Sequence, residues 1–220
     1  MKSSKISTVI FDLDGTLIDS GRSILMGLEA AVMAAGCTLM LPLGNDLIGP
    51  PLRLTLQNLS GEANKSKLEE MVVSFMRYYD SSGYKNSEPY EGADQLLLSL
   101  KENGCRLILA TNKRSHPTLK ILEYLGWTSF FDSIYTIDKY PNKTFFDKEE
   151  MLMALIKVER IESDSAIYVG DRFEDQLAAN KNGLLSITVD WGYGEYEDIS
   201  VYSVVASSME QLMHMLISAK

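Results

Sequence analysis

The 220-residue chain is long enough for one large domain or for a core domain with an insertion. Its 45% hydrophobic and 23% charged residues are typical of a globular protein with a buried core, which excludes disordered, collagen-like and coiled-coil chains. Thirty acidic residues against 21 basic ones give a net charge of −9. We therefore expect no nucleic-acid polymer as partner, because binding its phosphates needs a basic surface.

Short apolar runs rich in β-branched residues predict the strands of a buried parallel sheet. They occupy residues 6–11, 106–110, 133–136, 166–169 and 185–189, with helical periodicity or loops between them. This alternation of strands and helices predicts an α/β fold in three layers, a Rossmann-like parallel sheet with helices on both faces.

About 95 residues separate the first predicted strand from the second, and helical patterns fill this interval. Apolar stripes predict helices over residues 20–35 and 68–79, and Ser66 with Glu69 has the spacing of a capping box at the start of the second. We therefore predict an all-helical insertion after the first strand. The predicted domains are a helical insertion over 19–87 and an α/β core over 1–18 and 88–220.

Two further features concern the compartment. Cys37 and Cys105 are too few for a disulfide framework or a zinc site, and a reducing compartment suits them. No window approaches the roughly 20 apolar residues of a membrane span. We expect a cytoplasmic protein without a membrane partner, acting as a monomer or homodimer.

An acidic pair follows the first predicted strand. Asp12 and Asp14 stand in the string DLDGTLIDS, at the carboxyl end of the strand, where open α/β sheets place their ligands. Two carboxylates that face one crevice repel each other unless a cation or a shared proton lies between them. A bare Asp-x-Asp pair is as often an acidic turn that caps the next helix, but the full string favours a functional site.

This string after a hydrophobic strand resembles motif I of the haloacid dehalogenase superfamily. Two further stretches are similar to motifs of that family: a strand that ends in Thr111 and Asn112, and Gly170-Asp171 with Asp175 four residues further on. The helical insertion is similar to the cap of its phosphoglycolate phosphatase-like subfamily. The resemblance covers nearly the whole chain and implies a haloacid dehalogenase-like core with a helical cap that closes over the phosphate.

The resemblance implies phosphoryl transfer from a phosphate monoester. Asp12 would attack phosphorus to form an aspartyl-phosphate, and Asp14 would protonate the leaving oxygen and then activate water. Thr111 would hold the transferring phosphoryl group, and Gly15 and Asn112 are expected to contact it as well. The presence of Asp14 favours phosphoryl transfer over dehalogenation, since the dehalogenase branch of the family lacks this acid.

The resemblance also implies Mg²⁺ as the cofactor. Mg²⁺ prefers hard oxygen ligands and needs only one or two carboxylates beside a carbonyl, waters and substrate phosphate. Asp12 and Asp171 would supply carboxylate ligands and Asp14 its backbone carbonyl, with Asp175 as an outer or alternative ligand.

A lysine completes the family's site, but the usual Lys-Pro pair is absent from this sequence. Lys148 stands 22 residues before Gly170, as in relatives, and is our first choice for neutralising the phosphoryl oxygens. Lys143 is the second choice and Lys139 the third.

The expected substrate is a small phosphorylated metabolite, phosphoglycolate-like or a phosphosugar. A 5′-nucleotidase, a β-phosphoglucomutase-like phosphotransferase and a catalytically silent binding protein of the same fold are the alternatives. Arg53 in the cap is a candidate contact for a substrate carboxylate or second phosphate, and it is equally compatible with a structural role. A substrate contact of His116 is a further open alternative.

Overall fold

The computed structural model describes residues 6–140, 144–194 and 204–218. The strands in these residues are β1 (Thr8–Phe11), β2 (Ile18–Asp19), β3 (Glu88–Pro89), β4 (Arg106–Thr111), β5 (Ser133–Thr136), β6 (Ala166–Gly170), β7 (Leu185–Val189) and β8 (Val204–Ala206). The α-helices are α1 (Gly21–Ala34), α2 (Leu52–Ser60), α3 (Lys65–Ser81), α4 (Ala93–Glu102), α5 (Ser115–Tyr124), α6 (Lys148–Glu159), α7 (Phe173–Lys181) and α8 (Met209–Ser218). Short 3-10 turns occupy Asn45–Leu47, Gly83–Asn86 and Ser163–Ser165.

The chain divides into two compact units. One, which we call the core unit, is Met1–Asp19 with Pro89–Lys220, and the other, the helical unit, is Ser20–Glu88. Of the helices in the described ranges, none has both the length and the apolar character that crossing a bilayer requires.

A parallel six-stranded sheet lies at the centre of the core unit, in the order β5-β4-β1-β6-β7-β8. Alternate residues of β1 point to opposite faces, and both Val9 and Ile10 are fully buried. Ile10 packs in a core cluster with Met151 and Leu155 of α6. Because both faces of the sheet are buried, the central strands read as continuous apolar runs rather than as alternating patterns.

The predicted α/β class with a central parallel sheet is confirmed. Five predicted runs form strands with nearly the predicted bounds, although β1 begins at Thr8 rather than at residue 6. β8, which has three residues and lies at the edge of the sheet, was not predicted from the sequence. So short a run carries too little periodicity to be distinguished from loop.

The helical unit has its own core between α1, α2 and α3. Leu28, Leu56 and Met71, one from each helix, are buried in one cluster, as the apolar stripes predict for Leu28 and Met71. The predicted capping box at Ser66 is wrong. Asn64 is the N-cap instead, since its side chain accepts hydrogen bonds from the backbone N–H groups of Ser66 at 2.9 Å and of Lys67 at 3.3 Å.

Candidate active site

Three neighbouring strands bring Asp12, Thr111 and Asp171 to one edge of the core unit's sheet. β1 lies between β4 and β6, and Phe11 is level with Leu109 on one side and with Val169 on the other. The strands are parallel, so their carboxyl ends meet at the same edge. Asp12 and Asp171, which directly follow β1 and β6, therefore lie close to Thr111, the last residue of β4, although the three are far apart in sequence.

Lys148, the first residue of α6, is buried among the acidic groups at this edge. Its Nζ lies 2.8 Å from Asp12 Oδ1 and 3.1 Å from Asp175 Oδ1, and it donates a further hydrogen bond of 3.0 Å to the carbonyl of Ala110. Burial opposes the charged amine, but Asp12 and Asp175 outweigh it and raise the pKa of Lys148. The ammonium is therefore charged at neutral pH, which suits a group that neutralises phosphoryl oxygens.

Tyr168 in β6 links Lys148 to Asp175. Its hydroxyl accepts a hydrogen bond of 2.9 Å from Lys148 Nζ and donates one of 3.0 Å to Asp175 Oδ1. Burial, with the charges of Asp175 and Asp12, raises the pKa of Tyr168, so the phenol keeps the proton that it donates. From the sequence, Tyr168 was predicted only as part of a strand. The available signal was a hydroxyl within an otherwise apolar run, two residues before Gly170.

Burial also raises the pKa values of two carboxyl groups in the site. It raises the pKa of Asp12 to about 6, although Lys148 acts in the opposite direction. It raises the pKa of Asp171 to about 8, and the neighbouring Asp175 and Asp12 add to the effect. The charged forms of these carboxyls are costly without a further positive group.

Asp12, Asp171 and Asp175 could together hold a metal ion. One carboxylate oxygen from each lies within 4.8 Å of the others, and all three residues are buried. Asp171 Oδ1 is buried and finds no hydrogen-bond partner in the part of the chain that the structure describes. Such an orphaned oxygen in a group of hard carboxylate ligands fits Mg²⁺.

The loop after β7 encloses Asp171. The backbone N–H of Tyr193 donates to Asp171 Oδ2 at 2.7 Å, and Trp191 Nε1 donates to the carbonyl of Thr16 at 3.1 Å. This loop therefore fixes Oδ2 of Asp171, whereas Oδ1 has no hydrogen-bond partner among the described residues.

Gly15 lies directly against Asp171, and we expect Gly15→Ala to disturb the site. A Cβ at this position would lie 2.2 Å from Asp171 Oδ2, and the φ of +81° is unfavourable for any residue with a side chain. Gly104→Ala is a matched control, because Gly104 has a similar φ of +73° and nothing within 4 Å of the added carbon.

Urea unfolding of the two variants separates the cost of backbone strain from the cost of the close contact with Asp171. Gly104→Ala should lower the free energy of unfolding by about 1–2 kcal/mol from backbone strain alone. Gly15→Ala should cost about 1–3 kcal/mol more, since overpacking a closely packed position typically costs that much. Equal losses in the two variants would contradict the close approach of Gly15 to Asp171.

Asp14 does not belong to the cluster of three carboxylates. Lys113 Nζ binds both of its carboxylate oxygens, at 2.8 and 2.9 Å. Lys113 was not among the site residues predicted from the sequence. The only signal was a lysine two residues after the strand-ending threonine.

The other predicted site residues are placed as follows. Thr111 is buried, and its Oγ1 accepts a hydrogen bond of 3.2 Å from the N–H of Lys113, while the neighbouring Asn112 is half-buried. Arg53 lies on α2 of the helical unit, where it is exposed and forms an ion pair with Glu69. Its predicted substrate contact stays a prediction.

Of the two alternative lysines and the histidine, the structure describes Lys139 and His116. Lys139 Nζ donates to the carbonyl of Ile134 at 2.6 Å and lies 3.5 Å from the centre of the Tyr135 ring. Lys143 lies outside the described residues. His116 is exposed in the first turn of α5.

Known proteins are similar to this chain along most of its length. A family model described as haloacid dehalogenase-like hydrolase matches residues 9–189. Tyrosine-protein kinase PtkA of Mycobacterium tuberculosis is 29% identical, with 94% of this chain and 72% of that protein covered. Phosphoglycolate phosphatase of Neisseria gonorrhoeae is 32% identical, with 86% and 82% covered. The crystal structure of a predicted phosphatase from Clostridium acetobutylicum has a TM-score of 0.87 at 28% identity and covers 98% of this chain and 100% of that one.

Proposed function

The chain belongs to the haloacid dehalogenase-like hydrolase family, as its motifs indicated, and on this premise we propose that it is a Mg²⁺-dependent phosphatase of small phosphate monoesters. One observation carries the proposal. Asp12 is buried at the end of β1, held at 2.8 Å by the ammonium of Lys148, with the carboxylates of Asp171 and Asp175 beside it. This arrangement provides both a nucleophile and positive charge for a phosphoryl group.

Asp12 is the proposed nucleophile. A carboxylate oxygen of Asp12 forms a bond to phosphorus while the bond from phosphorus to the ester oxygen breaks, and Asp14 gives its proton to the departing oxygen. Water then attacks phosphorus, its proton passes to Asp14, and the bond to Asp12 breaks. The products are an alcohol and inorganic phosphate, and Asp12 and Asp14 return to their starting states.

The remaining groups orient and neutralise the phosphoryl oxygens. The charged Lys148 is aimed at Asp12, and the hydroxyl of Thr111 and the backbone at Gly15 are candidates for binding the oxygens. Asp12, Asp171 and Asp175 would hold Mg²⁺, with the carbonyl of Asp14 as the further ligand that the family resemblance implies. When bound, the ion supplies positive charge beside the phosphate.

The substrate proposal is a phosphoglycolate-like ester or a phosphosugar. The relative from Neisseria gonorrhoeae, named a phosphoglycolate phosphatase, supports it. The name of the mycobacterial relative favours a second candidate, transfer of phosphate from ATP to a protein tyrosine. The two reactions differ in where the phosphoryl group ends.

A panel of phosphate esters tests the proposal. Phosphoglycolate, phosphosugars, nucleoside 5′-monophosphates and p-nitrophenyl phosphate would be incubated with the protein, with Mg²⁺ or with a chelator, and released phosphate measured. We expect release that requires Mg²⁺. Release from nucleotides alone would instead make the chain a 5′-nucleotidase. Label from ATP that stays on protein tyrosine, with no phosphate released from any ester, would contradict a phosphatase.

The raised pKa values of Asp12 and Asp171 predict how pH and Mg²⁺ act together. Without the ion, the folded protein keeps protons on these carboxyls up to about pH 6 and about pH 8, whereas the unfolded chain loses them near pH 4. The folded state then binds more protons than the unfolded state, so stability falls as pH rises through this window. Mg²⁺ binds only the deprotonated carboxylates and should restore that loss.

Thermal unfolding at pH 5.5 and pH 8.5 tests this linkage. We expect Mg²⁺ to raise Tm clearly at pH 8.5 and little at pH 5.5. Asp171→Asn should remove most of the difference, while Asp190→Asn, which changes an exposed aspartate directly after β7, should keep it. A Tm increase of the same size at both pH values would contradict binding at the cluster.

A further inference from the structure

Lys113 and Asp14 form a closely paired, largely buried contact in the core unit. The side chains of Lys113 and Asp14 are only 7% and 12% exposed, and Lys113 Nζ reaches both carboxylate oxygens at 2.8 and 2.9 Å. A lysine so deeply buried is costly unless its charge is paired. The pair lies at the edge of the sheet where we propose that the ester is cleaved. This position suits a role of Lys113 in that reaction.

The loop that carries Lys113 is itself held in place. The backbone N–H of Lys113 donates to Thr111 Oγ1 at 3.2 Å, and its carbonyl accepts from the N–H of Ile137 at 3.4 Å. Two residues on, the N–H of Ser115 donates to Asp138 Oδ1 at 2.7 Å. The ammonium thus extends from a backbone that is tied to the end of β4 and to the residues after β5.

Two hydrogen bonds, one to each oxygen, fix the orientation of a carboxylate as well as its position. A single contact leaves the group free to rotate about that contact, whereas two contacts also fix the direction in which its oxygens face. For proton exchange with a leaving oxygen, this direction decides whether the acid lies within hydrogen-bond reach.

We propose that Lys113 is a positioning residue that orients the carboxyl group of Asp14 so that its proton can pass to the leaving oxygen. The proposal rests on the proposed phosphatase function, in which Asp14 is the acid. It predicts that the effect of Lys113 depends on the substrate: Lys113 contributes to the hydrolysis of alkyl phosphates, whose leaving oxygen needs a proton. It matters little for p-nitrophenyl phosphate, whose leaving group departs readily as an anion.

Lys113→Met tests the proposal through kcat/KM, which reports only the steps up to the departure of the leaving group. A positioned acid contributes about 10²–10⁴-fold, so we expect a loss of about tenfold or more for the best alkyl ester of the panel. For p-nitrophenyl phosphate we expect a loss of less than about threefold, because little acid catalysis is there to be lost. Lys113→Arg keeps two donors for the carboxylate and should retain most of the alkyl-ester activity.

Lys101→Met is the matched control. Lys101 also binds both oxygens of one aspartate, Asp132, at 3.0 Å each, but Asp132 lies beside Leu107 at the amino end of β4. This variant should change neither kcat/KM. If Lys113→Met unfolds below the assay temperature, Lys113→Gln, which keeps a donor without the charge, takes its place in the same comparison.

The outcomes are distinguishable. Equal losses of kcat/KM for both kinds of ester would indicate a merely structural Lys113 and overturn the inference. No loss for the alkyl ester would overturn it as well. Failure of the unaltered protein to hydrolyse any ester would refute the proposed function, and the inference with it.

Discussion

Asp12→Asn should abolish phosphate release from every ester in the panel, with a loss in kcat of about 10⁴–10⁶-fold, the range seen when a catalytic nucleophile is removed. The amide has the shape of the carboxylate but cannot form the aspartyl-phosphate. Lys148 keeps Asp175 at 3.1 Å in the variant, so the buried ammonium retains a counter-charge and the protein should remain folded. Steady-state phosphate release and Tm are the two measurements.

Asp190→Asn is the control for this change. Asp190 also directly follows a strand of the sheet, but it is exposed, and its carboxylate accepts a hydrogen bond of 2.6 Å from Ser207 Oγ. The variant should keep full activity. An Asp12→Asn protein that melts normally and still turns over substrate would show that Asp12 is not the nucleophile.

Lys148→Met should damage stability and activity together. Methionine keeps the length of the side chain but leaves the buried Asp12 and Asp175 without the ammonium that lies 2.8 and 3.1 Å from them. Removing one partner of a buried ion pair typically costs about 3–5 kcal/mol, because the remaining charge is uncompensated. The loss of positive charge beside the phosphate should lower kcat by about 10²–10³-fold.

The destabilisation should depend on pH. At pH 5.5 the uncompensated carboxyls can take up protons, whereas at pH 8.5 they must bear the charge, so the loss should be larger at pH 8.5. Lys101→Met, at a pair whose side chains are 31% and 38% exposed, should cost no more than about 1 kcal/mol at either pH. The free energy of unfolding would be measured with denaturant at the two pH values. An equally small loss in Lys148→Met and Lys101→Met would contradict the buried pair.

The candidate lysines differ in what their ammonium groups contact. The spacing from Gly170 that the family resemblance implies favoured Lys148; in the structure its Nζ lies 2.8 Å from Asp12 Oδ1, while that of Lys139 lies 2.6 Å from the carbonyl of Ile134. Lys148 is the first residue of α6 because Asp147 is the N-cap: the Asp147 side chain accepts a hydrogen bond of 2.9 Å from the N–H of Glu150.

The contacts of Tyr168 and Lys113 could not be predicted from the sequence. Lys113 and Asp14 are 99 residues apart in the chain, and nothing in either segment indicates that the other will face it. Tyr168 has the apolar ring that a buried strand needs, so the strand pattern conceals its hydroxyl between Lys148 and Asp175. In both residues the functional atom is at the end of a side chain whose direction is decided by packing.

The sequence by itself determined the parallel α/β core and the edge at which Asp12, Thr111 and Asp171 meet. Apolar runs specify buried strands, and parallel strands necessarily bring their carboxyl ends together. Only the tertiary structure decided which charges pair there: Lys148 with Asp12, and Lys113 with Asp14. Backbone pattern is a local property of the chain, whereas the pairing of buried charges depends on distances between side chains that folding alone brings within 3 Å.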